Sequence, residues 1–199
     1  MKDGQTYSLW VSEAEVAPEG GSLKAPDLVA LVEWRGKLVF ESAVSRGALV
    51  GHWEPFVMRG GDLIGGGPVN TSAVQNVGRV RLQSGESVVV GVFDERLVSR
   101  RFLGGFEVPL AVLHLGVNEI KGGGWVSRLQ ITVAPEDGNL PKEVPRFAVA
   151  HGVRELSEMP ASMKDRFART NERLEDLVRQ GVERGKELLD KVLGGGEER

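Results

Sequence analysis

The stretch Glu86 to Leu110, ESVVVGVFDERLVSRRFLGGFEVPL, decides the fold. It opens on an apolar run, Val88-Val89-Val90-Gly91-Val92-Phe93, and breaks into a charged loop from Asp94 to Arg101. It resumes as Phe102-Leu103-Gly104-Gly105 and alternates out through Phe106, Val108 and Leu110. A short apolar run bounded by a polar break predicts a buried strand, and the alternation beyond it predicts a second. Strand, polar loop and strand is how a β-sandwich presents a binding edge, because loops on a rigid scaffold carry contact residues.

Upstream, Tyr7 to Val16 alternates and predicts a strand. Leu28 to Trp34 (LVALVEW) is apolar on both faces and predicts a central one. Arg35-Gly36 is a two-residue hairpin turn, and Lys37 to Val44 is the returning strand. His52 to Met58 predicts an edge strand interrupted by Pro55. Arg59 to Gly78 is Gly-rich, weakly periodic and expected to be a large loop. Arg79 to Leu82 is expected to pair with Ser87 to Phe93 across Gln83-Ser84-Gly85-Glu86. Downstream, Phe102 to Leu110 is followed by a connection to about Gly124, and Trp125 to Val133 closes the set. About eight short strands separated by turn signals predict an antiparallel β-sandwich or barrel.

Ala134 to Pro160 holds Pro135, Pro141, Pro145 and Pro160, which mark a linker or a wrapping segment. Phe147, Val149, Val153 and Leu156 suit partial packing on the sandwich. Ala161 to Leu193 predicts a helix, with Ser162 as cap and Asp165 as capping-box partner. The expected organisation is therefore a sandwich over 1–133, a wrapping segment over 134–160, and an amphipathic helix with a Gly-rich tail over 161–199. Phe167, Leu174, Val178, Val182 and Leu189 lie on the apolar stripe and are the candidate helix interface. Mixed charges on the rest of the helix fit association with a protein, including a second copy, better than a membrane interface, which favours a basic excess.

The chain has 199 residues, a net charge of −3 and no cysteine. Disulfides, thiolate nucleophiles and Cys-ligated metals are excluded. No basic field gathers nucleic acid. Residues 1–10 carry no apolar signal region, and no apolar run reaches the roughly 18–20 residues that span a bilayer. The expected location is cytoplasmic, with membrane association as the second option.

Several segments in order resemble a C2 domain. Asp27-Leu28-Val29-Ala30-Leu31-Val32-Glu33-Trp34 resembles the strand of that family that begins Asp-Pro-Tyr-Val. Leu49, Trp53 and Glu54 match its Leu…Trp-Asn-Glu segment. Val92-Phe93-Asp94 looks like its Val-Tyr-Asp entry to the third binding loop, and Phe102-Leu103-Gly104 with Val108-Pro109-Leu110 looks like the exit. The resemblance covers roughly residues 5 to 133. It implies a mainly β, C2-like antiparallel sandwich with a C-terminal helical extension, binding a lipid or protein surface at its loop edge.

In that family several loop carboxylates hold calcium, a hard cation that takes six to eight oxygens. Here Asp27 and Asp94 stand at ligand positions and Glu95 is shifted. The late acid is replaced by Arg101, with Arg100 beside it. No tight calcium site is expected. Lys24, Arg96, Arg100 and Arg101 are instead candidates for an anion or an acidic partner, because guanidinium groups bind phosphate and carboxylate bidentately. The alternative is a solvated loop in which the arginines pair with Asp94 and Glu95.

Gly65-Gly66-Gly67-Pro68 lacks the Lys-Ser/Thr and the helix that a phosphate loop needs. His52, His114 and His151 are scattered, and Ser45, Ser84 and Ser99 lack a nucleophile-elbow setting. Trp10, Trp34, Trp53 and Trp125 sit on expected strands, as packing residues. No catalytic residue and no cofactor is assigned. The expected function is calcium-independent binding or scaffolding, with anionic phospholipid binding through residues 94–101 as the alternative.

Overall fold

Val88 to Phe93 forms the middle of strand β6 (Ser87–Glu95), which lies inside a five-stranded sheet ordered β11-β7-β6-β2-β3. The computed structural model describes residues 1–17, 25–53, 77–96, 100–136, 147–169, 179–180 and 182–184. Its strands are β1 (Thr6–Val16), β2 (Leu28–Trp34), β3 (Lys37–Glu41), β4 (Val50–His52) and β5 (Gly78–Arg81). After β6 come β7 (Arg100–Pro109), β8 (Gly116–Lys121), β9 (Val126–Pro135), β10 (Ala148–Val149) and β11 (Arg154–Leu156). A second sheet is ordered β10-β8-β9-β1-β4, with β5 also paired to β1. Pairing is antiparallel except for β10 with β8, so the fold is a two-sheet, mainly antiparallel sandwich.

Alternation sets the core. Leu28, Ala30 and Val32 of β2, and Val88, Val90 and Val92 of β6, face Leu9 and Val11 of β1 and Leu129, Ile131 and Val133 of β9. Each fully buried side chain of this size contributes about 1.5–3 kcal/mol by leaving water. Val29 and Leu31 are buried as well, which accounts for the doubly apolar pattern of β2.

Two expectations about strand pairing are corrected first. The stretch expected to be a connection up to Gly124 contains β8, paired with β9 from Gly116↔Val133 to Lys121↔Arg128. Its buried positions are Gly116, Asn118 and Ile120, so two non-apolar residues break the apolar signature. Asn118 is tolerated there because its amide is spent on backbone: His114 N–H at 2.8 Å, and the carbonyls of His114, Gly116 and Ile131. The second correction concerns β5. It pairs with β1 (Thr6↔Arg81 to Leu9↔Gly78), not with β6. Gln83 to Glu86 therefore crosses between sheets, after Leu82 has exchanged hydrogen bonds with Gly4 and Gln5.

The return strand ends at Glu41 and not at Val44, and the strand expected over 52–58 is Val50–His52 in its described part. Residues 54–58 of it, and 59–76 of the Gly-rich stretch, lie outside the described residues. The segment rich in proline contributes one strand to each sheet, β10 on β8 and β11 on β7.

The chain divides into two units, Met1–Met159 and Pro160–Arg199. The second is helical over 161–169, at 179–180 and over 182–184. No helix among the described residues is long and apolar enough to cross a membrane.

Candidate binding edge

The registers bring one set of turns to one end of the sandwich. Leu28 lies opposite Asp94, and Glu95 opposite Arg100, so the start of β2 meets the β6–β7 loop. Val16 lies opposite Val126, and Glu15 opposite Val50, so the end of β1 meets the start of β9 and of β4. The backbone stitches these together, with Val16 N–H donating to Leu49 O, Ala17 N–H to Trp125 O, and Leu28 and Ser45 exchanging both bonds.

Within this end two of the loop arginines are ion-paired. Arg96 donates to Asp94 Oδ2 from Nε and Nη2, each at 3.0 Å. Arg100 reaches Glu41 Oε1 at 2.7 Å and also pairs with Glu95. Burial of Arg100 disfavours its charge, but Glu41 and Glu95 more than offset this and hold the guanidinium above its ordinary range. Arg101 lies over the Trp125 ring at 4.6 Å, a cation–π contact. At the same end, Val44 and Leu49 leave about two fifths of their surface in water, 42 % and 39 %.

The structure thus brings Asp27, Asp94, Glu95, Arg96, Arg100 and Arg101 to the same end. Asp27 Oδ1 accepts from Gly47 N–H at 2.8 Å, and Asp94 Oδ1 accepts from Asp27 N–H at 3.1 Å. Their carboxylates fasten loops. Lys24, Leu174, Val178 and Leu189 lie outside the described residues. Phe167 is half-buried and Val182 is exposed on the helical unit.

Sequence reasoning missed Glu41 and Trp125 as partners of the loop arginines. It also missed an ion-pair ladder across β8, β9 and β1, with His52 of β4 in contact with it. Arg128 lies 2.6 Å from Glu13, 2.9 Å from Glu15 and 3.9 Å from Glu119, and His52 Nδ1 lies 3.0 Å from Glu13. The hydrogen bond to Glu15 leads in raising the Arg128 pKa; burial opposes it, and the charges of Glu13, Glu15 and Glu119 add to it. Alternation along β1 and β9 was the available signal, since Glu13, Glu15 and Arg128 are polar positions on paired strands. Among the described residues no group of three or more His, Cys, Asp or Glu is placed to hold a metal ion.

No family model matches this sequence, and no curated protein matches it. Among solved structures, a C2 domain matches at 14% identity and TM-score 0.42, over 65% of this chain and 97% of its own. A calcium-bound pair of C2 domains from Extended-Synaptotagmin 2 matches at 14% identity and TM-score 0.44, over 67% of this chain and 46% of its own. A C2 domain of plant Extended Synaptotagmin 1 matches at 9% identity and TM-score 0.46, over 68% of this chain and 98% of its own. At these values no residue role passes from those proteins to this chain.

Proposed function

We propose that this chain is a non-catalytic binding module whose loop edge docks a protein surface without calcium, and whose helical unit joins it to further copies. The observation that carries the reading is the internal pairing of the edge charges, Arg96 with Asp94 and Arg100 with Glu41 and Glu95. Paired guanidinium groups present a weaker field to an anionic membrane. Carboxylates already accepting from Gly47, from Asp27 N–H and from Arg96 have less to offer a hard cation. What the edge does present is Arg101 stacked on Trp125, with Val44 and Leu49 exposed elsewhere at the same end. Arginine and tryptophan on a face that also exposes apolar side chains suit a protein interface. For the helical unit, the support is Val182, an apolar side chain 53 % exposed.

The test places a photo-crosslinker at Leu49 and compares the wild-type chain with Arg101→Glu and Trp125→Ala. A protein adduct that both variants lose supports docking through this edge. Flotation with phosphatidylserine vesicles, with and without calcium, is expected to leave the chain unbound. Vesicle binding that salt weakens and Arg101→Glu abolishes would replace this reading with an anionic-lipid one. Light scattering on the full chain and on Val182→Lys tests assembly, with a fall in mass expected for the variant and an unchanged mass overturning the role of the helix.

A further inference from the structure

Residues 147–156 form a strap across one open side of the sandwich. β10 adds to the outer edge of β8 (Ala148↔Asn118, Val149↔Glu119), and β11 adds to the outer edge of β7 (Arg154↔Glu107, Glu155↔Phe106, Leu156↔Gly105). Ala150 is buried in the core, and Val153 packs against it. His151, Gly152, Arg154 and Glu155 are exposed.

What fastens β11 is specific. Gly123 and Gly124 donate their N–H groups to the two Glu155 carboxylate oxygens, at 3.0 and 2.7 Å. Arg154 Nε donates to Glu107 Oε2 at 2.9 Å. A Cβ on Gly124 would stand 2.6 Å from Glu155 Oε1, so glycine is what lets the carboxylate sit on the backbone. Consecutive amides aimed at one anion make a carboxylate receptor from main chain alone.

We infer that the β7 edge and the Gly123–Gly124 amide pair form a receptor for an extended peptide from a partner protein, and that Arg154-Glu155-Leu156 is its built-in occupant. The occupant defines the ligand. A cation is held by Glu107, the next residue places a carboxylate on the two amides, and the third is apolar and half-buried. The ligand is therefore a strand reading basic–acidic–apolar. The occupant is poised to leave, because three residues hold it in register and two of their side chains stay in water. Little apolar surface is exposed when such an element opens. What opening uncovers on β7 is a row of backbone donors and acceptors, the template on which a strand adds. This receptor adjoins the proposed loop edge, since Trp125 follows Gly124, but it uses main-chain groups of β7 and of the two glycines and not the Arg101–Trp125 pair.

A labelled peptide spanning Phe147 to Glu158, and the same peptide with Gln at the Glu155 position, are titrated into two full-length chains, wild type and Arg154→Glu/Glu155→Lys. The tethered occupant competes in the wild type at high effective concentration. The double variant is therefore expected to bind the native peptide at least about tenfold more tightly than the wild type does, and the Gln peptide at least about tenfold more weakly than the native one. Equal affinity of the native peptide for both chains, or of both peptides for the variant, overturns the inference. Hydrogen exchange on the wild type needs no variant. The amides of Gly105 and Glu107, which face β11, and of Gly124 are expected to exchange faster than those of β6 and to slow with saturating peptide. Exchange as slow as in β6, unmoved by peptide, overturns it. A wild-type dimer that the peptide dissociates would place a second copy's strap in the receptor and overturn the partner-peptide reading.

Discussion

Asp27 donates its backbone N–H to Asp94 Oδ1 at 3.1 Å, so two acids that could share a cation are joined by a hydrogen bond instead. Asp27 also accepts from Gly47 through Oδ1, and its carbonyl takes the Glu95 N–H at 2.7 Å. Asp27→Ala removes the Gly47 acceptor and is expected to lower stability by about 1 kcal/mol. Asp94→Asn keeps an oxygen for Asp27 and loses only the pairing to an exposed arginine, so its cost is expected to be below about 1 kcal/mol. Urea midpoints of the two variants check the order.

Asn118 carries a heavier load. Its side chain is fully buried, and both ends of its amide are bound to backbone. Asn118→Leu fits the core in size but strands the His114 N–H and several carbonyls. The expected loss is about 2–4 kcal/mol, from the unmade hydrogen bonds. A denaturant midpoint close to that of the wild type would show that water replaces the amide.

The opposite end of the sandwich has a pH-sensitive tie. Glu86 accepts from Arg35 Nε at 2.7 Å and from the Trp34 indole at 2.8 Å. The Arg35 hydrogen bond leads in lowering the Glu86 pKa, with desolvation opposing and Trp34 adding. The folded chain therefore holds this proton more weakly than the unfolded chain. The stability involved is present above the ordinary carboxylate range and is lost as pH falls through it toward the folded value. Glu86→Gln is expected to lower the urea midpoint at neutral pH, and the gap to wild type is expected to close in acid.

Strands β6 and β7 meet at Gly91↔Gly105. A Cβ on Gly105 would lie 2.2 Å from the Val90 carbonyl oxygen, which is backbone and cannot swing away. Gly105→Ala is expected to cost more than about 3 kcal/mol, or to leave the chain insoluble. Gly123→Ala, whose Cβ would meet nothing nearer than 3.8 Å, is the matched control, and circular dichroism melts compare the two.

The strands legible in the sequence are those whose inward positions are all apolar, β2, β6 and β9 above all. β8 is illegible because Asn118 stands where a core residue is expected, satisfied by partners that no local pattern displays. β5 departs from its expected partner because nearness in sequence favours a hairpin, whereas Leu82 is captured by Gly4 and Gln5 from the start of the chain. At the edge, pairing of Arg96 with Asp94 is foreseeable because the two are only two residues apart at the end of β6. Glu41 and Trp125 come from other strands and other turns, and only the assembled sheets bring them to Arg100 and Arg101.

Strand β1 is flanked along its length by β9 on one side, and by β4 and β5 in tandem on the other. Ser12 and Thr132, whose hydroxyls meet at 2.9 Å, are 120 residues apart. Within the sandwich, β1 is made well before the β9 stretch it pairs with, so its sheet closes late. Folding dominated by such distant pairings is slow, in the range of about milliseconds to seconds. Until β9 is made, the edge of β1 that it pairs with stays open, a row of backbone donors and acceptors on which another chain could add a strand.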